Sequence, residues 1–161
     1  MLGLSTLGAT HTAISLVALA CGLVLIVRDR EISSRNRLGQ VYLVATLLTA
    51  ATALFIFRRG GFGPPHALAI LTLVALALGW AASHSGFLGR ASRYVETACY
   101  SATYLFHLVP GFTETLTRLP AGAPVAASDQ APILQTIDAA LLLLFLAGLG
   151  WQLLRLRAQP R

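Results

Sequence analysis

The chain has 161 residues, of which 56% are hydrophobic and 11% charged, roughly half the charged share of an ordinary soluble domain. Its apolar residues come in charge-free blocks of about 20, the length that crosses ~30 Å of hydrocarbon as a helix, which leaves no sequence for a separate soluble domain. The formal charge is +6, and all twelve basic residues are arginines. They sit in short connections without a basic stripe of interleaved aromatics, which argues against nucleic-acid binding and for contact with lipid headgroups.

The first span is expected over residues 7–27. Met1 to Val27 has no positive leader segment and its apolar run is too long for a signal peptide, so it is assigned to the membrane. A basic turn follows, with Arg28-Asp29-Arg30-Glu31, Arg35 and Arg37. The second span, 38–57, carries no charge and ends at Arg58-Arg59. Gly60-Gly61-Phe62-Gly63-Pro64-Pro65 is a loop, because glycine and proline punctuate helices and proline suits a first helical turn.

The third span, 65–82, stops near His84 and Gly86, with Arg90 and Arg93 just beyond. The fourth, 94–112, holds most of the polar residues; Pro110-Gly111 predicts a kink or an end, with Thr113 to Arg118 helical again. Residues 120–131 form a Pro/Ala/Gly/Ser loop. The fifth span, 132–154, contains one acid, Asp138, and closes on Arg155-Leu156-Arg157.

These elements predict an all-α transmembrane bundle of about five helices in a single integral-membrane domain, 1–161. Alternating spans put nine of the twelve arginines on one side. Positive charge marks the cytoplasmic face, so the N-terminus is expected outside and the C-terminus inside a bacterial inner membrane. Cys21 and Cys99 fall within apolar segments, the position of buried small side chains and not of a secreted-protein disulfide.

Ionisable groups inside spans are costly and default to a functional hypothesis. Here they are His11, His66, Glu96, His107 and Asp138, with Glu114 close by. Counting ~1.5 Å per residue from the flanking inner-side residues places His11, His66, His107 and Asp138 about 21 to 27 Å up, in the outer third of the membrane. Three imidazoles and two carboxylates at one level match the ligand chemistry of a transition metal such as Zn or Fe, with Glu114 and Asp138 as further ligands or as groups orienting the imidazoles. Two of the histidines would equally serve as axial ligands of haem b, in a redox role. Neither HExxH nor CxxC supports a metal locally, and no GxSxG elbow supports a serine hydrolase.

The alternative needs no cofactor. Histidines at helix ends sit at the interface, Asp138 caps a helix or pairs with Arg118, and Glu114 pairs with Arg118 at i,i+4. Glu96, Tyr100, Thr103, His107, Pro110/Gly111 and Glu114 recur every three or four residues and share one helix face. With Tyr104 beside them, they line a cavity for a quinone, lipid headgroup or small substrate, or they tie helices together by hydrogen bonds. Thr46, Thr49 and Thr52 fit close helix packing. Three functions therefore stay open: a metal or haem binder, a cofactor-free carrier or accessory subunit, and a metal-dependent intramembrane hydrolase. A partner subunit or a second copy of the chain is compatible with each.

Several strings resemble a known group. His11 with Ser15-Leu16-Val17-Ala18-Leu19 and Gly22, then Arg37-Leu38-Gly39-Gln40-Val41-Tyr42, then Phe57-Arg58-Arg59-Gly60-Gly61-Phe62-Gly63-Pro64-Pro65-His66 are similar to the DUF2306 family of bacterial multi-pass membrane proteins. The resemblance covers the first half best, and Tyr104 to Thr115 is compatible with it. It implies a multi-helix membrane protein with histidines at His11 and His66 and no settled activity. Such proteins often carry Lys-Gly-Thr and a histidine before span two, where this chain has Arg30-Glu31-Ile32 and Arg35, so an inner-side histidine ligand is not expected here.

Overall fold

The computed structural model describes residues 5–57, 61–85 and 88–158. Arg58, Arg59 and Gly60 of the second connection, Gly86, and Arg161 of the basic tail lie outside the described residues. Five α-helices form the chain: α1 (Thr6–Arg28), α2 (Arg37–Ala53), α3 (Pro64–His84), α4 (Ser92–Leu116) and α5 (Pro132–Ala158), with a short 3₁₀ turn, Gly89–Ala91, before α4. α1, α3 and α5 are long and apolar enough to cross a membrane by themselves.

Local sequence explains the boundaries. Ser5 caps α1 by accepting from the Gly8 N–H at 3.1 Å, and Asn36 caps α2 by accepting from the Gly39 N–H at 2.8 Å, each satisfying a donor the helix leaves free. Pro64 and Pro65 occupy the first turn of α3, where no N–H is needed. α2 stops at Ala53, earlier than its charge-free run suggests, and Leu54-Phe55 form a turn. Hydrophobicity alone does not mark this end.

α4 differs from expectation in the opposite sense, running without interruption through Pro110 to Leu116. Proline removes one backbone donor, yet packing on both sides holds the helix. Thr113 and Thr115 bond back to the carbonyls of Val109 and Gly111 at 3.0 and 2.7 Å, the way membrane helices keep carbonyls satisfied near a proline.

α1, α2, α3 and α4 close a ring in which each helix packs on the next and α4 also touches α1; α5 packs on the outside of α4. α4 is therefore the inner helix. Large exposed apolar side chains line α1, α2, α3 and α5, whereas α4 contributes Phe112 alone among its described residues. A lipid environment is the solvent that suits those outer faces.

Two glycines let aromatic rings enter the ring of helices. A Cβ at Gly22 of α1 would lie 2.5 Å from the Tyr104 ring and 2.9 Å from the Tyr42 ring. A Cβ at Gly79 of α3 would collide with Tyr100. Small residues at such crossings allow close helix approach where burial of apolar surface supplies little drive.

The connection between α1 and α2 folds inward over one end of the bundle. Ile32 and Ser33 are buried, and Glu31 lies 3.5 Å from Arg93 at the start of α4. Gln152 of α5 donates to the Arg30 carbonyl at 3.0 Å and accepts from the Ser101 hydroxyl at 2.8 Å. The basic turn, the start of α4 and the end of α5 thus share one rim. Asp29 is gripped by Arg28 at 2.7 and 2.8 Å and by Asn36 at 3.2 Å, and the Arg28 bonds hold its carboxyl below the usual range. Because that value is depressed, the contribution is present above the ordinary carboxylate range and fades as pH falls through the folded value.

Candidate functional site

The polar face of α4 is turned into the bundle, and Glu96, Thr103 and His107 each meet a different part of the α1–α2 hairpin. Glu96 is 2% exposed. Its carboxylate accepts from Arg35 Nη1 at 2.8 Å and from the hydroxyls of Ser33 and Ser34, each at 3.4 Å. One turn on, the buried Tyr100 hydroxyl has no hydrogen-bond partner, although Ser34, Ser83 and Glu96 surround it.

Thr103 is fully buried and donates to the Tyr100 carbonyl at 2.7 Å. Its single hydrogen is committed there, so Tyr42 of α2 must donate to it across their 2.7 Å contact. The Thr46 hydroxyl, one turn beyond Tyr42 on α2, meets His107 Nε2 at 3.1 Å. Together these contacts make a run of buried polar groups between α2 and α4: His107 against Thr46, and Tyr42 donating to Thr103. The His107 ring lies edge-on to Tyr42 with centroids 6.3 Å apart.

His11 of α1 continues the run outward. Its Nδ1 lies 3.0 Å from Thr52 Oγ1, and Thr52 donates to the carbonyls of Leu48 and Thr49 at 2.8 and 3.0 Å. Nδ1 therefore carries the hydrogen in that contact. His11 and His107 are within electrostatic range of each other.

His66 stands apart in its bonding. Its ring is 4% exposed, held between Phe57 and Phe62 with centroid separations of 4.7 and 5.1 Å. Its Nδ1 accepts from the Gly63 N–H at 3.2 Å, and its Nε2 is buried without a partner. Among the described residues no group of three or more His, Cys, Asp or Glu side chains is placed to hold a metal ion. The shared level of His11, His66 and His107 does not gather them round one point.

The two additional carboxylates also separate. Glu114 continues past Pro110 on the same helix, but its side chain is half exposed and pairs with Arg118 at 2.7 Å, the i,i+4 arrangement. Asp138 is half-buried on the second turn of α5, with Oδ1 lacking a hydrogen-bond partner. Tyr104, half-buried, packs against Gly22, while Glu96, Tyr100 and Thr103 form the interior face. Glu114→Gln is expected to shift stability by no more than ~0.5 kcal/mol, the scale of an exposed helix pair, measured by thermal unfolding in detergent; a loss beyond ~1 kcal/mol would place it in a tighter network.

Arg35, Tyr42 and Thr46 belong to this interior chain and were not singled out for chemistry by sequence. Thr46, Thr49 and Thr52 stood out only as packing residues. Their spacing was nevertheless the signal: three hydroxyls on one face of a helix that carries no charge beyond Arg37, with Tyr42 one turn before them. No family model, curated protein or solved structure matches this chain.

Proposed function

We propose that this chain is a small membrane carrier, or carrier subunit, that moves protons along the interior of its helix ring without a cofactor, through its own side chains and water between them. The observation that carries this reading is the run of buried polar contacts between α2 and α4, His107 with Thr46 and Tyr42 with Thr103, with Glu96 at one end of α4 and His11 at the other end of the bundle. Intramembrane His and Glu groups linked by hydroxyls are the parts of a proton relay.

At each hop one N–H or O–H bond breaks as the next forms, and nothing is oxidised. A proton arriving at His107 is held on one ring nitrogen as the other releases one toward Thr46. Onward transfer needs bridging water between Thr46 and Tyr42, and Thr103 turns its hydrogen from the Tyr100 carbonyl to pass one toward Glu96 as it gains one from Tyr42. From Thr103 to Glu96 is seven residues, or ~10 Å along α4, and the unpartnered Tyr100 hydroxyl occupies that interval. The gradient across the membrane supplies the direction. The arginine-rich rim faces the cytoplasm of a bacterial inner membrane in this reading, by the positive-inside rule, and the likeness to the DUF2306 strings is kept as part of it.

Purified protein in liposomes, with a trapped pH dye and valinomycin-clamped potential, tests this. Wild type is expected to dissipate an imposed pH gradient, while His107→Gln and Tyr42→Phe slow it by about a hundredfold, the lower end of what a positioned proton-transfer group supplies. Glutamine keeps a donor toward Thr46 and phenylalanine keeps the ring beside Gly22, so both retain the packing. Wild-type flux equal to empty liposomes, or unimpaired flux in His107→Gln, would end the proposal.

A transition metal or haem b near the outer rim is the second reading, favoured by the proximity of His11 and His107 and the free Nε2 of His66. It requires ring nitrogens of His11, His66 and His107 to converge on one ion, whereas no group of three such side chains is placed to do so among the described residues. Metal analysis and an absorption spectrum of purified protein separate the two readings.

A further inference from the structure

We propose that the rim built by Arg30, Trp151 and Arg155 is a binding site for the phosphate headgroup of an anionic membrane phospholipid. The guanidinium carbons of Arg30 and Arg155 lie 5.5 and 5.9 Å from the Trp151 ring centroid, so two cations flank one indole.

Their charge is not consumed locally. The Asp29 carboxylate is engaged by Arg28 and Asn36, and Glu31 faces Arg35 and Arg93. Among the described residues no carboxylate pairs with Arg30 or Arg155; Arg155 makes only a 3.4 Å contact to the Asp29 carbonyl. A guanidinium fork matches phosphate oxygens, and two of them beside an aromatic ring form a headgroup site more readily than mobile lysines do.

The site is also built. Arg30 has φ of 63°, a conformation that side-chain-bearing residues rarely adopt. It is fixed by the bond from Gln152 Nε2 to its carbonyl, and Gln152, 7% exposed, is itself held by Ser101. The buried amide therefore ties the loop arginine to the helix that carries Trp151 and Arg155. Indole and arginine at one level of a helix end is the arrangement that anchors the headgroup region.

Phospholipid is favoured over free phosphate by what lies beside the rim. Leu144 on the same face of α5 is 69% exposed and Leu154 is 66% exposed, while an added Cβ at Gly148 would meet nothing within 4 Å. Together these make an open apolar track on which an acyl chain can lie. The site stands independently of the proton-carrier reading.

The test uses full-length protein in dodecylmaltoside with Trp80→Phe, leaving Trp151 as the reporter. Short-chain phosphatidylglycerol is titrated against chain-matched phosphatidylcholine and against inorganic phosphate, by Trp151 fluorescence and native mass spectrometry. Saturable binding of phosphatidylglycerol alone is expected, weakened at least tenfold by Arg30→Gln with Arg155→Gln. Arg37→Gln with Arg90→Gln, which removes the same charge elsewhere, should leave it within twofold. Arg155→Gln alone gives an intermediate loss if the double variant fails to fold. Equal binding of phosphatidylcholine, equal response to inorganic phosphate, or equal weakening by the Arg37/Arg90 pair would each overturn the proposal.

Discussion

Gly79→Val is expected to destabilise the protein by ~3 kcal/mol, the upper range for overpacking a filled interior. The cause is direct: a Cβ at that position meets the Tyr100 ring 2.8 Å from Cδ1 and closer still to Cε1, and a branched side chain extends the clash. Valine has slightly better helix propensity than glycine, by a few tenths of a kcal/mol, which is too small to compensate. Tyr100 is 1% exposed and backed by the ring of helices, so its side chain has nowhere to retreat. The decisive measurement is a double-mutant cycle with Tyr100→Ala, followed by unfolding in mixed micelles. Tyr100→Ala alone should cost ~3 kcal/mol through its cavity. The double variant should be less destabilised than the sum, because the valine occupies part of that space. Strict additivity would show that the two residues do not share the volume.

The second large effect is an asymmetry between the two partners of an ion pair. Glu96 is 2% exposed on its side chain and Arg35 is 50% exposed. Removing the arginine leaves a carboxylate buried with two serine contacts of 3.4 Å. Arg35→Leu should therefore cost ~2 kcal/mol, below the 3–5 typical of a fully buried pair because half of Arg35 already meets solvent. Glu96→Leu removes the buried charge and strands only a guanidinium that can turn outward, so its cost should be smaller. The combined variant should sit near Glu96→Leu, not below Arg35→Leu. Equal losses for the two single changes would mean that Glu96 is reached by water and that the rim is looser than its geometry.

The helical spans were legible because their signal is additive: each block of apolar residues registers regardless of its neighbours. The positions of glycine and proline marked the α2–α3 connection for the same local reason. Pro110 was harder to weigh, since whether a proline ends a helix depends on the packing on either side, which α4 obtains from α1, α3 and α5. The polar residues of α4 could be placed on one face from spacing. What each would touch depended on rotations of α1 and α2 that no periodicity encodes. Thus His11 and His107 stood out as titratable groups within apolar spans, but their threonine partners did not. Glu114 carried two readings, an extension of the stripe and a pairing with Arg118 at i,i+4, and the pairing is the one observed.

Gln152 joins segments 122 positions apart in the chain, and this has a consequence for biosynthesis. At ~5–20 residues per second, α5 emerges roughly 6 to 24 seconds after the Arg30 segment it must fasten. During that interval the hairpin of α1 and α2 exists without its clasp, and a chaperone or translocon has access to a segment that later becomes sheltered. A ribosome stalled within the Pro120–Ala131 region should accordingly present that segment to protease, and extension through Gln152 should close the window.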